Sequence, residues 1–322
     1  MNMRCCVIIC VYTEKRWDDI MSAIASLRSQ TRKPDEIIVV VDHNASLAER
    51  LAQENVGVHL IVNAFEKGLS GARNCGIAST RCELVAFLDD DAYADPRWLE
   101  VLENHFSDPH VLGVGSWVKP LWSREMPVWF PPQYLWIVGC SYEGMPTDVS
   151  EVRNLFGGSM IIRRSIFSKI GGFDSRLGRD IGILPLGCEE TEFCLRARSE
   201  NDGCVFLVDP TIGITHRVTH ERIKISYFFF RCFAEGVSKW RLSKICSGVV
   251  VLNSERKFVT EVLPAGLVKE MRSLARADFT SLLRIFMLIG GVGAAGMGFA
   301  FASINGLFNK RHRKPGVTHV EG

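Results

Sequence analysis

Between Cys5 and Asp91 the chain alternates short, unbroken β-branched runs with stretches of helical spacing, and few folds accept that pattern. The runs fall at Cys6–Val11, Glu36–Val41, Val58–Val62 and Leu84–Leu88. Helical spacing occupies Asp18–Gln30, Ala45–Asn55 and Leu69–Ser79. Runs such as VIICV, IIVVV and LVAFL carry no polar residue on either side of the pleat, so both faces of their sheet must be covered. Strands in alternation with helices of about ten or more residues predict a doubly wound α/β sheet with mainly parallel strands.

In such sheets ligands gather beyond the carboxyl ends of the strands, so the residues after each run are the ones to inspect. Here they are polar: Tyr12-Thr13-Glu14, Asp42-His43-Asn44 and Asp89-Asp90-Asp91. The topology predicts that all three meet at one sheet edge. Three adjacent carboxylates repel one another unless a cation offsets them, and a hard divalent ion with oxygen ligands suits them chemically. The alternative is an acidic loop leading into a helix capped by Asp95 with Pro96 at its first position. That reading explains Asp95 but not the triplet.

Global charge and cysteine usage narrow the classes further. With 38 basic and 36 acidic residues the chain has no field of the kind a general nucleic-acid binder needs, and no nucleic-acid partner is expected. Its 11 cysteines are odd in number and include no CxxC pair, which argues against both a disulfide framework and a cysteine zinc site. The first apolar run is too brief for a signal peptide, so we expect the bulk of the chain in a reducing compartment, the cytoplasm.

Farther along, Val111–Tyr142 is rich in Trp and Pro and reads as loop. A strand is expected at Ser159–Ile162, a short helix from Ser165, a turn at Gly171-Gly172-Phe173-Asp174, a helix start at Glu189, short strands around Val205 and Ile214, and helix from Ile225 onward. Phe286–Phe308 has no charged residue and is long enough to cross a bilayer core of about 30 Å. Ala294 and Gly298 stand at a small-xxx-small spacing that suits close helix packing in lipid. A buried helix of a soluble domain is the alternative, although so many glycines weaken a helix in water. Basic residues flank both ends (Lys269, Arg272, Arg276 and Arg284 before, Lys310, Arg311, Arg313 and Lys314 after), so charge does not choose between a crossing and a shallow insertion. Between Arg217 and Lys257 nine basic residues face three acidic ones, which suits anionic head groups or a phosphorylated acceptor, or else a solvated helix face. Phe228-Phe229-Phe230 argues that one side of that stretch is buried.

Four segments together resemble glycosyltransferase family 2, with its GT-A fold: VIICVYTEKRWDD, DEIIVVVDHN, GLSGARNCGIASTRCELVAFLDDDA and GGFDSRLGRDIGILPLGCEETEFCLRA, spanning about Met3 to Arg222. The resemblance implies a GT-A-type doubly wound mixed sheet with a C-terminal helical, membrane-associated region. It divides the chain into a catalytic domain 1–222 (nucleotide-binding half 1–110, acceptor-binding half 111–222), a basic amphipathic helical region 223–285, a membrane segment 286–308 and a basic tail 309–322.

The resemblance also implies roles. Asp42 would accept a hydrogen bond from the nucleotide base, with Tyr12, Thr13 and Glu14 in the strand-end loop that lines it. Asp91 would hold Mg²⁺ or Mn²⁺ on the donor diphosphate, Asp89 would lie toward the ribose or the metal shell, and Asp90 would support both. Gly68, Arg73 and Asn74 match the helix whose start approaches the nucleotide, and glycine there permits close backbone approach; Asn74 could equally only cross-link loops. Glu190 matches the family's general base, with Glu189 as fallback, although acids in a first helical turn are also favoured by the helix dipole alone. His216 is a further metal candidate. Trp129 and Trp136 are acceptor-platform candidates or ordinary packing.

Departures from the pattern are Cys10 in place of a common Pro, Glu190 in place of a commoner Asp, and His43-Asn44 after Asp42. These strand ends resemble a membrane-linked subgroup of prokaryotic glucuronosyl or glucosyl transferases acting on lipid-linked sugars. The expected function is therefore inverting, metal-dependent transfer from a nucleotide-sugar donor, with UDP favoured, to a lipid-linked or polysaccharide acceptor at the cytoplasmic face of the membrane. A non-catalytic nucleotide-sugar-binding membrane-associated protein of the same fold is the alternative. A nucleotidyltransferase lacks support, because no Gly-rich triphosphate cradle follows the first strand.

Overall fold

The structure, a computed structural model, describes residues 3–54, 56–175, 177, 186–246 and 252–312. Among these residues nine strands form one mixed sheet in the order β3-β2-β1-β4-β8-β6-β9-β5, with β7 on β9. The first half is parallel: β1 (Cys5–Val11) lies between β2 (Glu36–Val41) and β4 (Leu84–Leu88), and β3 (His59–Val62) forms the edge. Helices α1 (Trp17–Arg28), α2 (Ala45–Gln53) and α3 (Leu69–Ala78) make the crossovers. The apolar runs are covered on both faces, as their composition demands. Val7, Ile9, Val39, Val41 and Ala86 meet Ile20, Ile24 and Leu27 of α1 on one side. The alternate residues Cys6, Ile8, Ile38, Val40, Val85 and Phe87 pack on the other with Ala72 and Cys75 of α3 and with Phe167, Phe173 and Phe193.

After β4 come β5 (Ala92–Ala94), α4 (Trp98–Asn104), β6 (Val111–Trp122), β7 (Ser150–Val152), β8 (Ser159–Arg163), α5 (Arg164–Ile170), α6 (Glu189–Ser199) and β9 (Val205–Val218). Two expectations are corrected here. Val111–Trp122 is a strand and not loop. Pro120 is tolerated because β8 pairs only with Gly113–Gly115, so beyond that point β6 pairs with β9 alone and one of its sides needs no N–H donor. The separate strands expected around Val205 and Ile214 are one strand. Asp209-Pro210 reads as a turn, but it is a register shift in which Ser116 faces Asp209 and Trp117 faces Gly213.

The C-terminal part is helical, with α7 (Ile225–Ile245), α8 (Asn253–Lys257), a π-helical turn Phe258–Val262, α9 (Leu263–Leu274) and α10 (Thr280–His312). The tail from residue 313 lies outside the described residues. α10 packs along α7 through glycines: a Cβ on Gly298 would stand 2.0 Å from the Phe233 carbonyl oxygen, and one on Gly236 1.9 Å from that of Ala295. Only absent side chains let the two backbones approach so closely. Tyr134 ties α10 to the segment that follows β6 by donating to the Leu288 carbonyl at 3.0 Å. An 18-residue window of Thr280–Gly306 has a mean hydropathy of 1.9 and is one-third buried. Its buried stripe (Met287, Leu288, Gly291, Ala294, Gly298, Ala302) faces the protein, while Leu282, Leu283, Phe286, Ile289, Met297, Phe301 and Ile304 are exposed at helical spacing.

Candidate active site

Strand pairing assembles the site. β4 ends at Leu88, and the turn Asp89-Asp90-Asp91 feeds β5, which runs antiparallel to β9 with Ala92 opposite His216. That register sets His216 beside Asp91, with Nδ1 3.2 Å from Oδ1, and the Arg217 N–H donates to the Asp91 carbonyl at 2.8 Å. On the other side Leu88 pairs with Ser159, so Gly158 lies against Asp89. Ligand atoms of Asp89, Asp91 and His216 all lie within 4.8 Å of one another.

Charge around the triplet is concentrated and mostly buried. Arg16 Nη1 lies 2.5 Å from Asp90 Oδ1 and 3.1 Å from Asp91 Oδ2, and Arg222 Nη1 lies 2.9 Å from His216 Nε2. A guanidinium can only donate, so Nε2 of His216 accepts and the ring proton sits on Nδ1, toward Asp91. Burial, with repulsion from Asp91 and Asp89, pushes the Asp90 carboxyl up to about 7 against the pull of Arg16. Burial opposes ionisation of Asp91 as well, but the hydrogen bond of His216 and the charges of Arg16 and Arg222 hold it below the usual carboxylate range.

Asp91 Oδ2 is buried and accepts no well-aligned hydrogen bond among the described residues; the Arg16 guanidinium 3.1 Å away offsets its charge and leaves a lone pair open to a cation. The Asp89 and Asp91 carboxylates form a hard oxygen donor pair that fits a divalent cation, and His216 can add a nitrogen only when the Nδ1 proton moves to Nε2 and the Arg222 contact gives way.

Asp89 faces a cavity of about 700 Å³ whose lining also includes Glu189, Glu190, His216, Leu69 and Trp136. Glu190 stands in the first turn of α6, and Arg73, buried in α3, donates to its Oε1 at 2.8 Å. The same guanidinium comes within 4.0 Å of Asp89. Burial opposes the charge on Arg73, yet Glu190 and Asp89 raise its pKa above the ordinary guanidinium value.

Asn74 ties α3 to the turn at Phe173: its amide donates to the Phe173 carbonyl and accepts from the Phe173 N–H, both at 2.8 Å. The remaining donor-side residues lie at the neighbouring strand ends, outside the cavity lining. Asp42 accepts from Asn63 (2.7 Å) and from the Gly68 N–H (2.9 Å), and Gly68 takes φ +118°, a conformation that suits glycine. Leu69, next in sequence, reaches the cavity wall and so joins the two regions. Tyr12 is exposed with the Arg16 guanidinium 5.3 Å over its ring, Thr13 caps the short helical turn Glu14–Arg16, and Glu14 accepts from Ser46. Trp136 faces the cavity, but Trp129 does not. Its indole packs edge-on to Phe228, with ring centroids 5.9 Å apart, inside an aromatic cluster.

Sequence reasoning missed Gly157 and Gly158. A Cβ on Gly157 would lie 1.8 Å from Glu190 Oε1, and one on Gly158 2.2 Å from Asp89 Oδ2. Their signal was a Gly-Gly pair directly before the apolar run SMII. Arg16 and Arg222 were missed as well, because nothing local distinguishes them from solvated arginines.

Residues 6–171 match the model of glycosyl transferase family 2, half of the chain. The chain belongs to glycosyl transferase family 2. This family member is 28% identical over 300 residues to a glucosyl-dolichyl phosphate glucuronosyltransferase of Haloferax volcanii, covering 90% of this chain and 94% of that one. It is 23% identical over 241 residues to a succinoglycan biosynthesis protein of Rhizobium meliloti, covering 73% of each. Its fold is similar to that of a mannosyltransferase from Pyrobaculum calidifontis solved in complex with GDP-Man and Mn²⁺, with a TM-score of 0.60 at 14% identity over 96% of this chain and 88% of that one. The GT-A fold that the resemblance implied is thus present, and the family member is a glycosyltransferase.

Proposed function

We propose that this glycosyltransferase moves a sugar from a nucleotide-diphosphate donor, UDP-sugar favoured, to a lipid-linked acceptor at a membrane, with inversion at the anomeric carbon and dependence on Mg²⁺ or Mn²⁺. One observation carries the reading: Asp89 and His216, grouped with Asp91, and the arginine-held Glu190 border a single cavity. Support for the acceptor comes from the Haloferax relative, whose name specifies a dolichyl phosphate-linked substrate and which aligns over nearly its whole length. Support for the metal comes from the Mn²⁺ and GDP-Man of the Pyrobaculum structure.

A divalent cation held by Asp91 and Asp89, with His216 joining once Nδ1 has given up its proton, would supply positive charge that offsets the charge growing on a departing nucleoside diphosphate. The chain's own groups do the rest. Arg16 holds Asp90 and Asp91 in place, and Arg222 holds His216 beside Asp91. Glu190, oriented by Arg73, takes the proton from the acceptor hydroxyl as that oxygen attacks, with Glu189 as the adjacent carboxylate. Asp42 and Tyr12 border the base, and Trp136 offers a ring to a sugar face.

The exposed apolar stripe of α10 seats the protein on the bilayer. Its opposite stripe is held along α7, so we favour a helix lying along the cytoplasmic membrane surface over one that crosses it. The test is a transfer assay with UDP- and GDP-sugars, a lipid phosphate-linked sugar and Mn²⁺ or Mg²⁺. We expect transfer with metal only, its loss in Glu190→Gln with donor binding retained, and weakened metal-dependent donor binding in Asp91→Ala. Equal donor affinity of Asp91→Ala and wild type would reject the metal assignment.

A further inference from the structure

The cavity that holds Asp89 and Glu190 is also lined by one face of α10. Val292, Ala295, Gly296 and Phe299 form that face, at the i, i+3, i+4, i+7 spacing of residues that lie above one another on a helix. It is distinct from the stripe buried against the protein and from the exposed stripe described above. At about 100° of turn per residue it falls between the two, with the exposed Gly296 on the side of the exposed stripe. Val259 and Val262 of the π-helical turn add apolar surface to the same lining. The charged groups that α7 and α8 bring to it are paired with one another and with Arg153. Lys239 Nζ lies 2.8 Å from Glu255 and 3.0 Å from Glu235, and Arg153 donates to Glu255 at 2.6 Å. The α10 face has no side-chain hydrogen-bonding group, so it offers nothing to replace water around a sugar hydroxyl.

The glycines of α10 serve two purposes. A Cβ on Gly291 would stand 2.6 Å from the Tyr134 ring and one on Gly298 2.0 Å from the Phe233 carbonyl oxygen, so those two glycines permit close packing. Gly296 is different: among the described residues no atom lies within 4 Å of where its Cβ would stand. Alanine there would favour the helix and meet nothing, so packing does not account for glycine at this position. What glycine does at 296 is leave the cavity open beside the apolar face.

We infer that this α10 face holds the first part of the acceptor's hydrocarbon chain, which passes Gly296 on its way from the carboxylates to the bilayer. The sugar to be extended must reach Glu190, and the α10 face belongs to the same cavity. A chain laid along Val292, Ala295 and Gly296 stays on apolar surface until it meets the exposed stripe of the same helix, so it need not cross water. Gly296 is then a residue that sets how much chain the enzyme accepts. The inference rests on the lipid-linked acceptor proposed above, and the experiment separates the two.

The full-length protein is assayed with sugar-phosphate-alkyl acceptors whose chains lengthen one methylene at a time, each below its aggregation concentration and without membranes. In wild type, kcat/KM should rise about fourfold for each methylene that enters the cavity, as burial of a methylene implies. A series that is accepted with equal kcat/KM at every length overturns the chain site and leaves the lipid-linked acceptor standing. In Gly296→Leu the new side chain takes the room of about two to three methylenes, so the ratio of kcat/KM for long over short acceptors should fall about ten- to sixtyfold. Gly293→Leu is the matched control: it lies on the same helix, its Cβ also meets nothing within 4 Å, and it is not part of the cavity lining. That variant should keep the wild-type ratio, and equal ratios in all three proteins overturn the assignment of Gly296. Should Gly296→Leu fail to fold, competition on wild type decides. A straight-chain alcohol, with neither sugar nor phosphate, should compete with acceptor and not with donor; inhibition that is not competitive with acceptor overturns the site. Transfer to soluble glycans with none to any alkyl or lipid acceptor would instead defeat the acceptor reading itself.

Discussion

Adding one methyl group at Gly157 tests whether the placement of Glu190 governs turnover. In Gly157→Ala the new Cβ would stand 1.8 Å from Glu190 Oε1 and 2.4 Å from Arg73 Nη2, where ordinary contact begins near 3.4 Å. The carboxylate must therefore retreat by about 1.6 Å, and a misplacement of about 1 Å costs on the order of 10²-fold in rate. We expect kcat to fall about 10²-fold or more while the donor Kd, measured by calorimetry, moves little. Gly158→Ala carries the complementary outcome, because its Cβ meets Asp89 Oδ2 at 2.2 Å and disturbs the donor side first. That variant should raise the metal-dependent donor Kd by about tenfold. Gly293→Ala is the control: nothing lies within 4 Å of its Cβ, and alanine favours helix by about 1 kcal/mol over glycine. A folded Gly157→Ala enzyme whose kcat stays within about threefold of wild type would refute the reasoning, since the carboxylate would then have moved without consequence.

Three further outcomes follow from the same coordinates. Asn74→Ala leaves the Phe173 N–H and carbonyl without their side-chain partner and should destabilise the fold by about 1–3 kcal/mol in urea titration; an unchanged midpoint would deny the cross-link its structural weight. Glu255 has its pKa lowered from 4.5 to about 2, because Lys239 and Arg153 outweigh burial, so its contribution is present above about pH 4.5 and is lost as pH falls toward 2. The stability gap between wild type and Glu255→Gln, at most about 3 kcal/mol, should close over that window, and a gap independent of pH would contradict the ion-pair account. Replacing Ile289 and Met297 by Glu places charge on the exposed stripe of α10 and should abolish sedimentation with anionic liposomes without lowering Tm; persistent sedimentation would show that another surface binds the membrane.

Much of this protein was legible before folding because the information is local. Unbroken β-branched runs give buried strands, acids at their ends give the donor side of the site, and a Gly-Gly-Phe-Asp turn followed by acids gives the start of α6. β6 and β9 were less legible: Pro120 and Asp209-Pro210 look like breaks in one dimension and are tolerated only because a partner strand stops short or shifts register. His216 shows the boundary most clearly. Alone in sequence it is one imidazole after an apolar run. It reaches Asp91 because Ala92 pairs with it across more than a hundred residues of chain.

Sequence by itself determined the parallel half of the sheet, its polar edge and the chemical types available there, since strand propensity and burial act over a few residues at a time. Tertiary structure alone decided which charges meet. Arg73 holds Glu190, Arg16 holds Asp90 and Asp91, Gly157 and Gly158 make room for two carboxylates, and α7 brings cations of a basic stretch into the cavity. Coulombic and steric terms depend on distances of a few ångströms between segments remote in sequence, and those distances exist only once the sheet has closed its register.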